Sequence, residues 1–265
     1  MATDSTVERV TRWDFAPGSL PLPLVIAHRG DVVNAPENTL PAFKKALDAG
    51  ADGIELDVRT CKTGEVIVFH DPTVARMTNG RGFVKNKTLK ELKRLRLRRQ
   101  NLEINENIPT LEEVIELVDG RVILNIELKT KGTRKESLEK KVVDIIDYYG
   151  IADSTIISSF NPIAVRRIRK IDNSLTTGLI LDKNFNIRRS EIPLTKLVGA
   201  KALHLEKSLV RTKLIKKIKD LGFYCVVWSE NDPGKMQQMI DIGIDAIITD
   251  KPDVLKNVKA GLVHE

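Results

Sequence analysis

Residues Val25 to Asp71 read VIAHRGDVVNAPENTLPAFKKALDAGADGIELDVRTCKTGEVIVFHD, and their order decides the fold. Leu24-Val25-Ile26-Ala27 is a short apolar run of the kind that fills a parallel strand buried on both faces. Asn38 to Leu47 carries apolar residues at helical spacing, and Ala49-Gly50 closes it. Gly53-Ile54-Glu55-Leu56-Asp57-Val58 then reads as a second strand, so the first three elements predict a parallel βαβ unit. After the Thr63-Gly64 turn, Glu65 to His70 is again rich in strand formers. That turn is too short for a parallel crossover, which needs about a dozen residues. It therefore predicts an antiparallel return strand that rises above the C-terminal rim and brings His70 back to it.

Working outward, residues 72–108 continue as an excursion on the same side, with a turn at Asn79-Gly80-Arg81-Gly82. The capping boxes Thr88-Leu89-Lys90-Glu91 and Thr110-Leu111-Glu112-Glu113 each open a helix, the second taking the chain back down. From there the alternation is regular. Strands are predicted at Val122–Leu128, Thr155–Ser159, Thr177–Leu181, Ala202–Glu206, Tyr224–Ser229 and Ala246–Thr249, with helices near 135–149, 161–170, 191–199, 210–220 and 233–242. Asn161-Pro162 and Asp232-Pro233 pair an N-cap residue with proline at the first helical position. Leaving the hairpin aside gives eight parallel strands, which predicts an α/β fold, a TIM (β/α)8 barrel with a hairpin and small insertion after the second strand. A doubly wound open sheet is the other fold weighed. Residues 1–265 are expected to form one domain, with 72–108 as a small insertion over the C-terminal face and residues 1–23 as an irregular, proline-marked lead-in.

The composition, 42% hydrophobic and 30% charged, excludes wholesale disorder. MATDSTVERV has neither a basic nor an apolar region of a signal peptide, and no apolar run approaches the length of a transmembrane segment. With only Cys61 and Cys225, a disulfide framework is not expected, and a cytoplasmic location is the default. The net charge of +7 is concentrated in runs at Lys93–Arg99, Arg166–Lys170 and Lys216–Lys219. None is interleaved with aromatics, so nucleic-acid binding lacks stacking residues. Their Leu and Ile spacing predicts solvated faces of amphipathic helices, the other reading being weak attraction to an anionic substrate or membrane surface.

Strand side chains alternate, so Glu55 and Asp57 share one face, and Asn125-Ile126-Glu127-Leu128-Lys129 repeats the pattern on the next parallel strand. Three carboxylates converging at a barrel mouth suit a hard divalent cation, Mg²⁺ or Ca²⁺. A salt-bridge cluster with Lys129 and Arg29 is the alternative. His28 and His70 fall at C-terminal strand ends, where barrel active sites lie, and histidine is the natural general acid or base near neutral pH. Arg29 and Lys129 can hold phosphate oxygens, one by its fork and the other as a point charge. His204 and Glu206 share a strand face and are either substrate contacts or an internal hydrogen-bonded pair. Trp228 is either a pocket wall or core packing, and His264 lies in the tail.

The motifs His28-Arg29-Gly30, Pro36-Glu37-Asn38-Thr39, Glu55-Leu56-Asp57 and His70-Asp71 together resemble the signature of the glycerophosphodiester phosphodiesterase family. Thr78–Gly82, Asn125–Lys129, Ser158-Ser159-Phe160, Val227–Asn231 and Ile248–Pro252 resemble its later blocks in order, with Ser229 where the family often has Thr. The resemblance covers about residues 24 to 256. It implies a metal-dependent TIM-barrel hydrolase that cleaves glycerophosphodiesters to sn-glycerol 3-phosphate and an alcohol. Glu55, Asp57 and Glu127 would be metal ligands, and His28 and His70 the base and acid on opposite sides of the phosphorus. Arg29 and Lys129 would bind phosphate, and Trp228 would line the pocket. Glu37 and Asn38 would brace the His28 loop or complete the metal shell. A lysophospholipase D-type phosphodiesterase and a non-catalytic phosphate-binding module are the alternative functions.

Overall fold

The computed structural model describes residues 21–99, 102–130, 138–184 and 191–262. The lead-in through residue 20, the start of the helix expected near 135, and His264 lie outside the described residues. Strand β1 (Leu24–His28) is followed by helix α1 (Leu40–Asp48), strand β2 (Gly53–Thr60) and strand β3 (Val66–Val68). β3 pairs antiparallel with β2, Val58 facing Val68, as the short Thr63-Gly64 turn requires. The excursion holds α2 (Leu89–Lys93) and the strands β4 (Leu97–Arg99) and β5 (Leu102–Ile104), before α3 (Leu111–Val118) returns the chain.

The remaining strands are β6 (Ile123–Leu128), β7 (Thr155–Ser159), β8 (Thr176–Leu181), β9 (Ala202–Glu206), β10 (Tyr224–Trp228) and β11 (Ala246–Thr249). Helices α4 (Leu138–Tyr149), α5 (Pro162–Ile171), α6 (Glu191–Val198), α7 (Thr212–Asp220) and α8 (Pro233–Asp241) alternate with them, and α9 (Pro252–Lys259) follows β11. β1 pairs in parallel with both β2 and β11, so the eight parallel strands close into a barrel and the open doubly wound sheet is excluded. No helix among the described residues is long and apolar enough to cross a membrane.

Local chemistry explains the ends of these elements. Both Thr-x-x-Glu motifs form capping boxes, and Asn161 and Asp232 accept N–H bonds at the helices they open. At the bottom of the barrel Asp52 accepts the N–H of Val25 at 2.8 Å, and Asp245 accepts that of Cys225 at 2.7 Å. Each aspartate thus satisfies a strand N–H that has no ladder partner at the sheet's end. Above them Ile26, Ile123, Ile156, Val226 and Ile248 fill the barrel interior, while larger apolar shells pack the strands against the helices.

The excursion carries its own small core of Phe69, Val74, Val84, Leu92, Leu97 and Ile108. One expectation is corrected here. The basic run Lys93–Arg99 is not a helix face, because α2 ends at Lys93 and Leu97–Arg99 pairs with Leu102–Ile104 as a hairpin. Leu97 is buried in that small core. The other two runs do lie on helices, with Arg166, Lys170, Lys216, Lys217 and Lys219 exposed, although Arg167 turns inward to the buried Glu139 at 3.1 Å.

Candidate active site

The C-terminal strand ends surround a cavity of about 260 Å³ whose wall includes His28, Arg29, Glu55, His70, Glu127 and Lys129. Register makes this convergence. Asp57 stands opposite Glu127 across the β2–β6 ladder, and His28 stands opposite Glu55 across β1–β2. Glu55, Asp57 and Glu127 are all buried, with one oxygen from each lying within 4.8 Å of the others.

Their countercharge is uneven. Lys129 Nζ lies 2.9 Å from Asp57 Oδ1 and 2.5 Å from Glu127 Oε1, and Arg29 Nε lies 3.2 Å from Asp57 Oδ2. Glu55 accepts the backbone N–H of Arg29 at 3.1 Å, and its nearest basic side chain is His28, at 3.9 Å. Burial opposes ionisation of Asp57, yet Lys129 and Arg29 outweigh it and hold its pKa low. Burial, reinforced by the Asp57 charge, pushes Glu55 well above the usual carboxylate range, and burial likewise raises Glu127. A pure salt-bridge cluster thus offsets the burial of Asp57 and leaves Glu55 and Glu127 short of positive charge. An all-oxygen donor set lacking a cation's worth of charge fits a hard divalent ion.

Each histidine is held by a carboxylate. His28 Nδ1 lies 2.7 Å from Asp250 Oδ1, and His70 Nδ1 lies 2.7 Å from Asp71 Oδ1. A carboxylate has only acceptors, so each Nδ1 carries the proton and each Nε2 is left for the cavity. Burial disfavours the charged form of His28, but the Asp250 hydrogen bond and the Glu55 charge prevail and raise its pKa. For His70, burial together with Lys129 and Arg29 outweighs Asp57 and lowers it. Asn231 Nδ2 donates to Asp250 Oδ2 at 2.6 Å, fixing the carboxylate that fixes His28.

The loop after β1 is shaped for this role. Arg29 and Asn38 both adopt left-handed backbone with φ of 57°, an uncommon conformation for residues other than glycine. Asn38 donates to Asp57 Oδ2 at 2.7 Å and accepts the Asp57 N–H at 3.2 Å, so it braces the central carboxylate. Glu37 accepts from Arg29 at 3.0 Å and from Arg76, and it stands outside the carboxylate cluster.

Trp228 lines the cavity, donates its indole N–H to the His204 carbonyl at 3.2 Å, and meets Phe160 edge-on at 5.5 Å. His204 also lines the cavity, almost wholly buried, and burial lowers its pKa to about 3. Glu206 accepts from the Lys183 N–H at 2.8 Å and from Ser208, so neither of its bonds goes to His204. Sequence reading gave no role to Asp71, Asp250, Asn231, Arg76, Asn125, Ser158 or Phe160. Asp71 stood beside His70, and Asp250, Asn231, Asn125, Ser158 and Phe160 fell inside the motif blocks with no role attached. Asp250 lies 222 residues from His28 and meets it only because the barrel closes.

With the geometry in place, comparison with known proteins is informative. Residues 28–254 match the glycerophosphoryl diester phosphodiesterase family. A glycerophosphodiester phosphodiesterase of Caldanaerobacter subterraneus subsp. tengcongensis is 40% identical over 238 residues, covering 89% of this chain and 97% of its own. The structure of an Oleispira antarctica phosphodiesterase in complex with the product sn-glycerol-3-phosphate superposes with a TM-score of 0.81 at 27% identity, covering 90% of this chain and 97% of its own. A glycerophosphodiester phosphodiesterase from Thermotoga maritima superposes with a TM-score of 0.70, also at 27% identity, covering 89% of this chain and 98% of its own.

Proposed function

The chain belongs to the glycerophosphoryl diester phosphodiesterase family, and from that premise we propose that it hydrolyses glycerophosphodiesters to sn-glycerol 3-phosphate and an alcohol. The observation that carries the reading is the ring of His28, His70, Arg29 and Lys129 around three buried carboxylates at the barrel mouth. Pure phosphate binding has no use for two oriented imidazoles. The chain acts in this reading as one barrel domain, with the 72–108 excursion roofing the site.

Glu55, Asp57 and Glu127 would hold a divalent cation, Mg²⁺ or Ca²⁺, which when bound supplies Lewis-acid polarisation and a lowered pKa for an attacking oxygen. Arg29 and Lys129 hold the non-bridging phosphate oxygens and neutralise charge that builds there. One histidine takes the proton of the attacking hydroxyl through Nε2 as the new P–O bond forms. The other gives its Nε2 proton to the departing alkoxide as the old P–O bond breaks. Trp228 and Phe160 wall the site, Asn38 braces Asp57, and Glu37 fixes the Arg29 fork.

Turnover of a panel of glycerophosphodiesters and lysophospholipids with Mg²⁺, Ca²⁺ and EDTA tests this. The expected result is release of sn-glycerol 3-phosphate that EDTA abolishes. Absence of hydrolysis of every glycerophosphodiester with either metal overturns it.

A further inference from the structure

The net charge of this chain is confined to one place. Residues 72–108 hold ten Lys or Arg against three Glu, so this segment carries the whole +7. The 43 basic and 36 acidic residues of the chain, less these, leave 33 of each sign, and the rest of the chain is neutral. Gathering one sign costs self-repulsion, which a merely solvated surface does not require. The solvated face of an amphipathic helix, the ordinary account of a run such as Lys93–Arg99, fails because Leu97–Arg99 is a strand.

The segment stands on the C-terminal rim of the barrel. Thr73, three residues beyond His70, bridges to Phe83, and the Lys62 N–H meets the Lys87 carbonyl near the tip of the β2–β3 hairpin. The Arg96 N–H donates to Asn79 Oδ1 at 3.1 Å, which brings Arg96 to the turn that carries Arg81. Arg81, Lys85, Lys90, Arg94 and Arg96 are exposed, and among the described residues none is ion-paired with a carboxylate. Glu91 is engaged in the capping box of α2. Phe83 is half exposed, with Lys85 Nζ 5.9 Å from its ring centre. Val33 in the loop after β1 and Ile163 at the start of α5 are exposed on the same rim. Single exposed apolar residues are ordinary, but these three share the rim that holds the excess positive charge.

We propose that this rim is a docking face for an anionic lipid bilayer, with the basic excursion against the phosphate layer, Phe83 entering the headgroup region and the cavity mouth turned to the membrane. A negatively charged leaflet attracts clustered Lys and Arg, each adding about fivefold to partition. Phe83 adds what a soluble polyanion has no use for, an apolar ring to be taken out of water. Nucleic acid, the other extended polyanion, calls for several stacking aromatics, and Phe83 is the one aromatic residue of the segment. The inference goes beyond the phosphodiesterase reading and does not depend on it.

The test is co-sedimentation of the full chain with vesicles of phosphatidylcholine alone and of an equimolar mixture of phosphatidylcholine and phosphatidylglycerol. The mixed vesicles should be bound at least about tenfold more tightly, and added salt should abolish the preference. A variant combining Arg81→Gln, Lys85→Gln, Arg94→Gln and Arg96→Gln should lose about a hundredfold of that affinity with Tm little changed. A control of equal charge, combining Arg166→Gln, Lys170→Gln, Lys216→Gln and Lys217→Gln on α5 and α7, should stay within about threefold of wild type. Phe83→Trp should show fluorescence quenched by brominated lipid in the mixed vesicles, beyond the quenching seen in the wild type. No preference for the mixed vesicles, or equal losses in the two fourfold variants, overturns the docking face. Binding without quenching at Phe83→Trp makes the partner a soluble polyanion and overturns the bilayer. Binding is read without turnover, so none of these outcomes bears on the phosphodiesterase reading.

Discussion

Arg76 Nη2 lies 2.6 Å from Glu37 Oε1, and this contact ties the excursion after the second strand to the loop after the first. The same guanidinium reaches Glu37 Oε2 through Nη1 at 3.0 Å and Asp71 Oδ2 through Nε at 2.5 Å. Glu37 also receives Arg29, and Asp71 orients His70. One arginine therefore joins the carboxylate that holds Arg29 to the carboxylate that orients His70.

Arg76→Met should lower kcat by about tenfold to a hundredfold, the scale on which a reacting group displaced by an ångström loses rate. Arg76 is 46% exposed, so its ion pairs contribute little stability and Tm should barely move. Arg76→Lys should restore little, because an ammonium cannot span two carboxylates as a fork does. Steady-state kinetics beside a thermal melt decide it. A large fall in Tm with kcat intact would make Arg76 a structural tie alone.

Asp250→Asn should be far more damaging than its size suggests. An amide can donate to His28 Nδ1 and so stabilise the tautomer with its proton on the wrong nitrogen. We expect kcat to fall by about a hundredfold or more with KM and metal affinity little changed. Asn231→Ala, which loosens Asp250 without replacing it, should give a smaller fall. If Asp250→Asn retains near wild-type kcat, His28 does not depend on this carboxylate.

His28→Ala and His70→Ala should each remove most activity while divalent-metal affinity, read by calorimetry, stays near wild type, since neither belongs to the carboxylate cluster. Asn38→Ala is the converse. It leaves both histidines in place and frees Asp57, so metal affinity should drop about tenfold or more. Full turnover in either histidine variant would sink the two-histidine assignment, and unchanged affinity in Asn38→Ala would remove Asn38 from the support of Asp57.

The barrel was legible because its signals are local. Apolar runs, N-caps and the tight Thr63-Gly64 turn each act within a few residues. The β4–β5 hairpin was not, because Leu97-Arg98-Arg99 sits in a basic run with helical spacing and takes strand form through pairing and the burial of Leu97. The same divide runs through the site. His28, Glu55, Asp57, His70 and Glu127 announce themselves as ionisable residues at strand ends. Asp250 and Asn231 fall in quoted motif blocks, but their partners, like those of Arg76, emerge only when barrel closure and the excursion bring them together. Asn125 and Ser158 open quoted motif blocks, yet their lack of a partner in a buried place is visible only in the fold.

His204 makes the pH dependence of stability specific. Burial lowers its pKa from 6.5 to about 3. Between those values the unfolded chain binds a proton that the folded chain refuses, so this residue's contribution falls as pH drops through 6.5 and continues to fall until about 3. At pH 5 the loss is about 2 kcal/mol, and at 1% exposure solvent does not screen it away. His28 and Glu55, whose pKa values are raised, act with the opposite sign, so the absolute profile mixes several groups. The difference between wild type and His204→Leu isolates the one of interest. Urea unfolding at pH 7.5 and pH 5 should show the wild type losing about 2 kcal/mol more than the variant over that interval. Parallel losses in the two proteins would mean that the folded barrel takes up the proton at His204, and that the imidazole does not rest neutral on the cavity floor.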